Sequence, residues 1–329
     1  MIDLHLHLDG SLEPEFLHSL ASQQHLDLTV EDIKKQVIAT SCCSLNDYLS
    51  CFDLPIQLLQ TEDSLMQATF HLMERLEKEG VFYAEIRFAP QLHTAKGLSI
   101  DNVVNAVLLA LCEANRVLEV KAQLILCCMR GDISNKLQNI ETIEVARKYL
   151  GKGVCAIDLA GAEALYKTQD FKYIFEIAKG LDIPFVIHAG EADGPDSVSS
   201  AINFGASRIG HGIAIKDAKY LINEVKDRQI GIEMCPTSNL QTKAINNIQD
   251  FPLVEYLENG LLATINTDNM TVSNTNLSKE FDLIKNGLGI TDEIRKKLIC
   301  NSVRCSFLSE ADKTKLMLKV IENKKNKKI

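Results

Sequence analysis

Eight short runs of β-branched and aliphatic residues recur along the chain, most of them separated by stretches with helical periodicity. They are IDLHLH at 2–7, VFYAEIRF at 81–88, KAQLILCCM at 121–129 and VCAIDLA at 154–160, then IPFVIHA at 183–189, ASRIGHG at 206–212, IGIEMCP at 230–236 and LLATINTD at 261–268. Strands that alternate with helices imply a parallel sheet, because a parallel neighbour is reached through a helical crossover. Eight such units are the number that closes a (β/α)8 TIM barrel, an α/β fold. The alternative, a doubly wound sheet, carries a G-x-G-x-x-G phosphate loop after its first strand, and HLDGSLEP does not supply one. With no Pro-, Gly- or Ser-rich linker and no internal repeat, residues 1–329 read as a single barrel domain with helical insertions, notably between the first two strands.

Local signals agree with this division. In TEDSLMQATFHLMERLEKEG, Leu65, Thr69, Leu72 and Leu76 form a stripe at helical spacing, and Gly80 supplies a left-handed stop. Thr29 and Asp32 form a capping-box variant at the start of a helix inside the first insertion.

The formal net charge is −9, with Lys and Arg scattered, so the chain offers no broad basic surface for a nucleic acid. The one dense basic run, KKNKK near the C-terminus, reads as a solvated tail after the helical pattern KTKLMLKVIE. Ten cysteines in a chain that starts its first strand at residue 2, with no apolar leader, point to a reducing compartment. Cys42 with Cys43, and Cys127 with Cys128, are adjacent pairs and read as small buried hydrophobes. No apolar run reaches the ~18 residues of a membrane span. The expectation is a cytoplasmic protein with neither a nucleic-acid nor a membrane partner.

Polar residues fall at the C-terminal end of one expected strand after another. His5 and His7 end the first, Gly161 follows the fourth, His188 ends the fifth, His211 the sixth and Asp268 the eighth. In a barrel these ends converge on one mouth, where active sites are built. Each has a bland reading alone: water-facing histidines on an amphipathic strand, a core His188, an N-capping Asp268, a solvated Glu191 in the loop after His188. Their coincidence at one rim favours a site. Of the eight histidines, His18, His25, His71 and His93 fall in helical or loop patterns and read as surface or satisfied side chains.

Successive side chains of a strand alternate faces, so His5 and His7 share one face while Leu4, Leu6 and Leu8 share the other. Histidines with a carboxylate suit a borderline divalent ion such as Zn²⁺, which lowers the pKa of bound water to roughly 7. Glu191 stands close enough in sequence to His188 to carry protons without ligating the ion, and His211 or Asp268 can take a proton from the water or orient it.

The stretches HLHLDG, DLAG, HAGE, GHG, CPTSN and NTDN, in that order between residues 5 and 269, together resemble the adenosine deaminase family of the metal-dependent amidohydrolase superfamily. The resemblance implies one Zn²⁺ held by His5, His7, His188 and Asp268, with Glu191 protonating purine N1 and His211 positioning and deprotonating water. It also implies that the Gly161 N–H contacts N3 and that Asp9 accepts a hydrogen bond from the ribose 5′-hydroxyl. The implied reaction converts adenosine and 2′-deoxyadenosine to inosine and 2′-deoxyinosine plus ammonia, a step of purine nucleoside salvage on a small-molecule substrate. Zinc cytidine deaminases instead use H-x-E with P-C-x-x-C, absent here. Superfamily members with two metals commonly bridge them through a lysine after the fourth strand, where this chain reads AIDLAGAE, so one metal is expected.

One position departs from the family. A second aspartate usually follows the one after strand eight, and here it is Asn269. An Asn amide donates a hydrogen bond to neutral N7, so the base contact is retained in principle. Ser238, in CPTSN, reads as a structural hydroxyl. Rival readings are an adenine deaminase, whose known relatives usually carry Glu where this chain has Asp9, a modified-AMP deaminase, whose 5′-phosphate the acid Asp9 would repel, and a catalytically silent purine- or zinc-binding barrel, which has no need of Glu191.

Overall fold

The structure, a computed structural model, describes residues 1–40, 42 and 44–322; the Cys43 of the first cysteine pair and the KKNKK tail lie outside the described residues. Its strands are β1 (Ile2–His7), β2 (Tyr83–Phe88), β3 (Lys121–Met129), β4 (Val154–Ala160), β5 (Val186–Ala189), β6 (Arg208–His211), β7 (Gly231–Met234) and β8 (Leu262–Ile265). All pairings are parallel, in the orders β1-β2-β3-β4 and β5-β6-β7-β8. Single parallel bridges, Ile157 to Phe185 and Leu6 to Asp268, link the two sheets at their edges. This is the strand order of a (β/α)8 barrel.

Each expected run contains a strand, but β5 to β8 are only four residues long. The chain leaves the ladder early because the residues after it turn away. His211 and Asp268 both adopt left-handed backbone, at φ 62° and 59°. Asp268 therefore does not end the eighth strand, as its sequence position suggests, but stands three residues beyond it. Non-glycine residues in this region are uncommon, and their strain at functional sites re-aims a side chain.

The insertion between β1 and β2 is helical, with helices at Pro14–Gln23, Val30–Val37, Leu45–Leu49, Asp53–Leu58 and Glu62–Lys78. Thr29 and Asp32 form the reciprocal capping box, and Leu65, Thr69, Leu72 and Leu76 are buried in the main core. Cys51, Cys127, Cys128, Cys155 and Cys235 are buried, whereas Cys112 is exposed. At the opposite end of the barrel, Val303 and Val320 of the last two helices pack on Ile2, Leu4 and Tyr83. No helix among the described residues is long and apolar enough to cross a membrane.

Removing the buried Leu72 side chain tests how tightly the first insertion docks on the barrel. Leu72→Ala is expected to cost about 2–5 kcal/mol, read as a lower urea midpoint with an unchanged m-value. An unmoved midpoint would show that this helix face is not packed.

Candidate metal centre and active site

Alternation along the strands sends charged side chains into the barrel. Asp3 and His5 on β1, Glu85 and Arg87 on β2, Asp158 on β4, Arg208 on β6 and Glu233 on β7 are all essentially inaccessible to solvent. A buried charge persists only where it is paired. Arg87 meets Asp158 at 2.9 Å and Glu233 at 2.8 Å, and Arg208 pairs with Glu85 and Glu233 at 2.5 Å each. Burial opposes ionisation of Asp158 and Glu233. The His188 imidazole and Arg87 nevertheless hold Asp158, and Arg87, Arg208 and His5 hold Glu233, well below the usual carboxylate range.

This network orients two imidazoles. His5 Nδ1–H donates to Glu233 Oε2 at 2.8 Å, and His188 Nδ1 lies 2.8 Å from Asp158 Oδ2. With Nδ1 occupied, each ring presents the Nε2 lone pair outward, as a metal-ligating histidine must. His5, His7, His188 and Asp268 each offer a ligand atom, all within 4.8 Å of one another. His5 Nε2 is buried with no hydrogen-bond partner in the protein, and it lies 3.4 Å from Asp268 Oδ1. Burial would raise the Asp268 carboxyl, but the surrounding imidazoles, His5 foremost, hold it far below its ordinary range. Converging lone pairs on a carboxylate are costly without a cation, so the donor set fits a single divalent ion of borderline softness.

Glu191 and His211 stand beside the four donors. Their side chains are 6% and 1% exposed, with His211 Nε2 3.5 Å from Glu191 Oε2. Burial, reinforced by the charges of Asp268 and Glu163, pushes the Glu191 carboxyl well above its normal value. Burial pushes the His211 imidazole well below its own. Burial thus favours the protonated form of the acid and the neutral form of the imidazole beside it, two groups set to move protons in opposite directions. Asn239, in the quoted CPTSN stretch, packs its amide 3.0 Å from His211 Nδ1 and fixes the ring.

A cavity of about 280 Å³ opens onto this cluster and is also lined by Asp9, Gly161 and Asn269. Gly161 has φ 103°, which an L side chain rarely adopts, and its exposed edge is backbone. Gly10 is required for another reason, since a Cβ there would overlap the Asn269 amide oxygen. Asn269 Nδ2 donates to the Tyr48 hydroxyl at 3.0 Å, leaving its second N–H uncommitted. Burial raises the Asp9 carboxyl to about 6.

Every candidate residue lines this cavity except His5, which stands behind it among the four donors. Sequence reasoning missed Arg87, Asp158, Glu233 and Asn239: the last three contact the rings of His188, His5 and His211, and Arg87 pairs with both carboxylates. The signal for the first three was charge at alternate positions of otherwise apolar strands. His18 and His25 are partly or fully exposed and His71 pairs with Glu13, as expected for bystanders. His93 is buried and satisfied through Nδ1 by Leu59 O at 2.9 Å, yet its Nε2 faces Asp9 at 3.8 Å, a neighbour the sequence did not suggest.

A family model described as adenosine deaminase matches residues 1–323. An adenosine deaminase of Haemophilus ducreyi is 46% identical, covering 96% of this chain and 94% of the relative. Among solved structures, an adenine deaminase from Arthrobacter aurescens superposes with TM-score 0.89 at 28% identity, over 98% of both chains. The Arabidopsis N6-mAMP deaminase superposes with TM-score 0.86 at 25% identity, over 98% of this chain and 97% of its own.

The ligand set and its supports are separable by mutation. His188→Ala is expected to lower bound metal and activity together, since it removes a donor. Asp158→Asn keeps all four donors but weakens the hold on the His188 ring, and metal affinity measured by chelator competition is expected to fall about 10–100-fold. Unchanged affinity in both variants would place the metal elsewhere.

Proposed function

This chain belongs to the adenosine deaminase family and hydrolyses adenosine at its amino group, and from that premise we propose that the buried cluster binds one Zn²⁺ and serves purine nucleosides, 2′-deoxyadenosine included. His5, His7, His188 and Asp268 would hold the ion. When bound, such an ion acts as a Lewis acid and brings the pKa of water to about 7. The observation that carries the reading is the buried contact of Glu191 with His211 at 3.5 Å, where burial favours the protonated carboxyl and the neutral imidazole.

Attack of water at C6 breaks the conjugation of the purine, and negative charge develops at N1. Glu191 donates its proton there, which a carboxylate of ordinary pKa could not do at neutral pH. His211, held neutral by burial, accepts the proton of the attacking water. The Gly161 N–H donates to N3, and the free N–H of Asn269 donates to N7. The His211 imidazolium then passes its proton to N6 and the hydroxyl on C6 returns one to Glu191; as the C6–N6 bond breaks, ammonia departs and the 6-oxo purine remains.

The cavity wall favours a nucleoside over a nucleotide. Among the described residues lining it, Arg130 is the one cationic side chain, and its guanidinium is committed to Tyr166 O, Thr168 Oγ1 and His188 O at 2.8, 2.9 and 2.6 Å. Both terminal nitrogens of that guanidinium are thus engaged within the protein, and the acidic Asp9 opposes a phosphate. The same Asp9 is an acceptor for a ribose hydroxyl, a contact that free adenine cannot make.

Glu191→Gln is expected to keep its metal while kcat falls by about 10²–10⁴-fold; a near-parental kcat would remove Glu191 from the reaction. Asp9→Asn is expected to penalise adenosine more than 5′-deoxyadenosine, by a factor of about 10 or more, since a hydrogen bond to a charged group contributes ~1.5–3 kcal/mol. Equal losses would make Asp9 structural. For Asn269 the discriminating substrate is 7-deazaadenosine, whose C–H at position 7 leaves the amide donor unpaired at a cost of about 1–3 kcal/mol. If kcat/KM matches that of adenosine, Asn269 does not touch the base.

A further inference from the structure

Glu163, two residues beyond Gly161, is 1% exposed and does not line the substrate cavity. Its carboxylate accepts hydrogen bonds from four successive backbone N–H groups, those of Gly190 at 2.7 Å, Glu191 at 2.9 Å, Ala192 at 2.7 Å and Asp193 at 3.2 Å. The Ser197 hydroxyl adds a fifth at 2.5 Å. Consecutive N–H groups that converge on one anion form a nest, a rigid arrangement of otherwise irregular backbone. Residues 190–193 belong to no helix or strand, so these bonds are what shapes the segment.

That segment carries Glu191. We propose that Glu163 is a positioning residue for the deamination: by tying the loop after β5 to the loop after β4, it fixes the separation between the Glu191 carboxyl and the Gly161 N–H, the two groups that meet N1 and N3 on one edge of the purine. The inference rests on the assignment of Glu191 and Gly161 above. A proton donor misplaced by about 1 Å can cost 10²-fold in rate, and a loop without this anchor has no other carboxylate to gather its N–H groups. The anchor also places a like charge near Glu191, whose further neighbours are Asp268, His211, Arg130 and the Thr242 hydroxyl. Charge and geometry thus act in the same direction.

The test is a double-mutant cycle on the metal-loaded protein, with Glu163→Gln, Glu191→Gln and the combination. Glu163→Gln is expected to keep stoichiometric metal and a KM within about threefold, while kcat falls about 10²-fold. Because Glu163 acts through Glu191, adding Glu163→Gln to Glu191→Gln is expected to cost less than about threefold more. Additive losses, a parental kcat in Glu163→Gln, or loss of metal with activity would each overturn the inference. If Glu163→Gln does not fold, Glu163→Asp takes its place in the cycle, since it keeps the charge and shortens the reach, and the same criteria apply with an expected fall in kcat of about tenfold. A parental kcat in Glu191→Gln alone would instead defeat the role given to Glu191, whatever Glu163 does.

Discussion

One guanidinium underlies the site. Arg87 is wholly buried, and its two terminal nitrogens reach Asp158, Glu233 and the backbone oxygen of Leu4. Those two carboxylates in turn engage Nδ1 of His188 and His5, so a single cation on β2 fixes the ring orientation of ligands on β5 and β1. Within the paired network, the carboxylates of Glu85, Asp158, Glu233 and Asp268 outnumber the guanidiniums of Arg87 and Arg208. A cation held among the histidines would offset that excess of negative charge. Breaking a buried pair from one side costs about 3–5 kcal/mol because a bare charge remains. The ligands are therefore held in place before any ion arrives.

The same network explains why the barrel is filled with charge where such barrels usually hold aliphatic layers. The apolar alternates of β2, Ala84, Ile86 and Phe88, pack outward against helices, and the inward alternates Glu85 and Arg87 are left to satisfy one another across the barrel. The C-terminal segment closes the bottom of this layer, with Phe307 N–H donating to Glu85 and Cys305 O accepting from Arg208. The helices that end the chain thus support the site from the far side, without any residue in it.

How much of this was legible depended on whether a residue's role is local. The period-two pattern of IDLHLH placed His5 and His7 on one face, and the repeated appearance of polar groups after apolar runs located the mouth. The capping box at Thr29 and the buried stripe from Leu65 to Leu76 are local and emerged as expected. Asp268 was placed at a strand end because its neighbours are β-formers, whereas the left-handed turn that carries it comes from contacts with β1, including the bond from His7 N to Asp268 O at 2.7 Å. Arg87 and Glu233 are 146 residues apart in sequence, and no local period relates them. Glu163 carries no sequence signal for the same reason: the N–H groups that it gathers belong to the next strand's loop.

In the proposed function, substrate choice follows from what the cavity wall lacks as much as from what it holds, with Arg130 engaged by Tyr166, Thr168 and His188 and Asp9 assigned to the sugar. The most direct measurement is the comparison of kcat/KM for adenosine, adenine and adenosine 5′-monophosphate on the metal-loaded protein, following loss of adenine-type ultraviolet absorbance. Adenosine is expected to be preferred over both by at least about 10-fold, since adenine forgoes a hydrogen bond to a charged group worth ~1.5–3 kcal/mol and the monophosphate adds a charge that Asp9 repels. Adenine or the monophosphate reacting as well as adenosine would contradict this expectation.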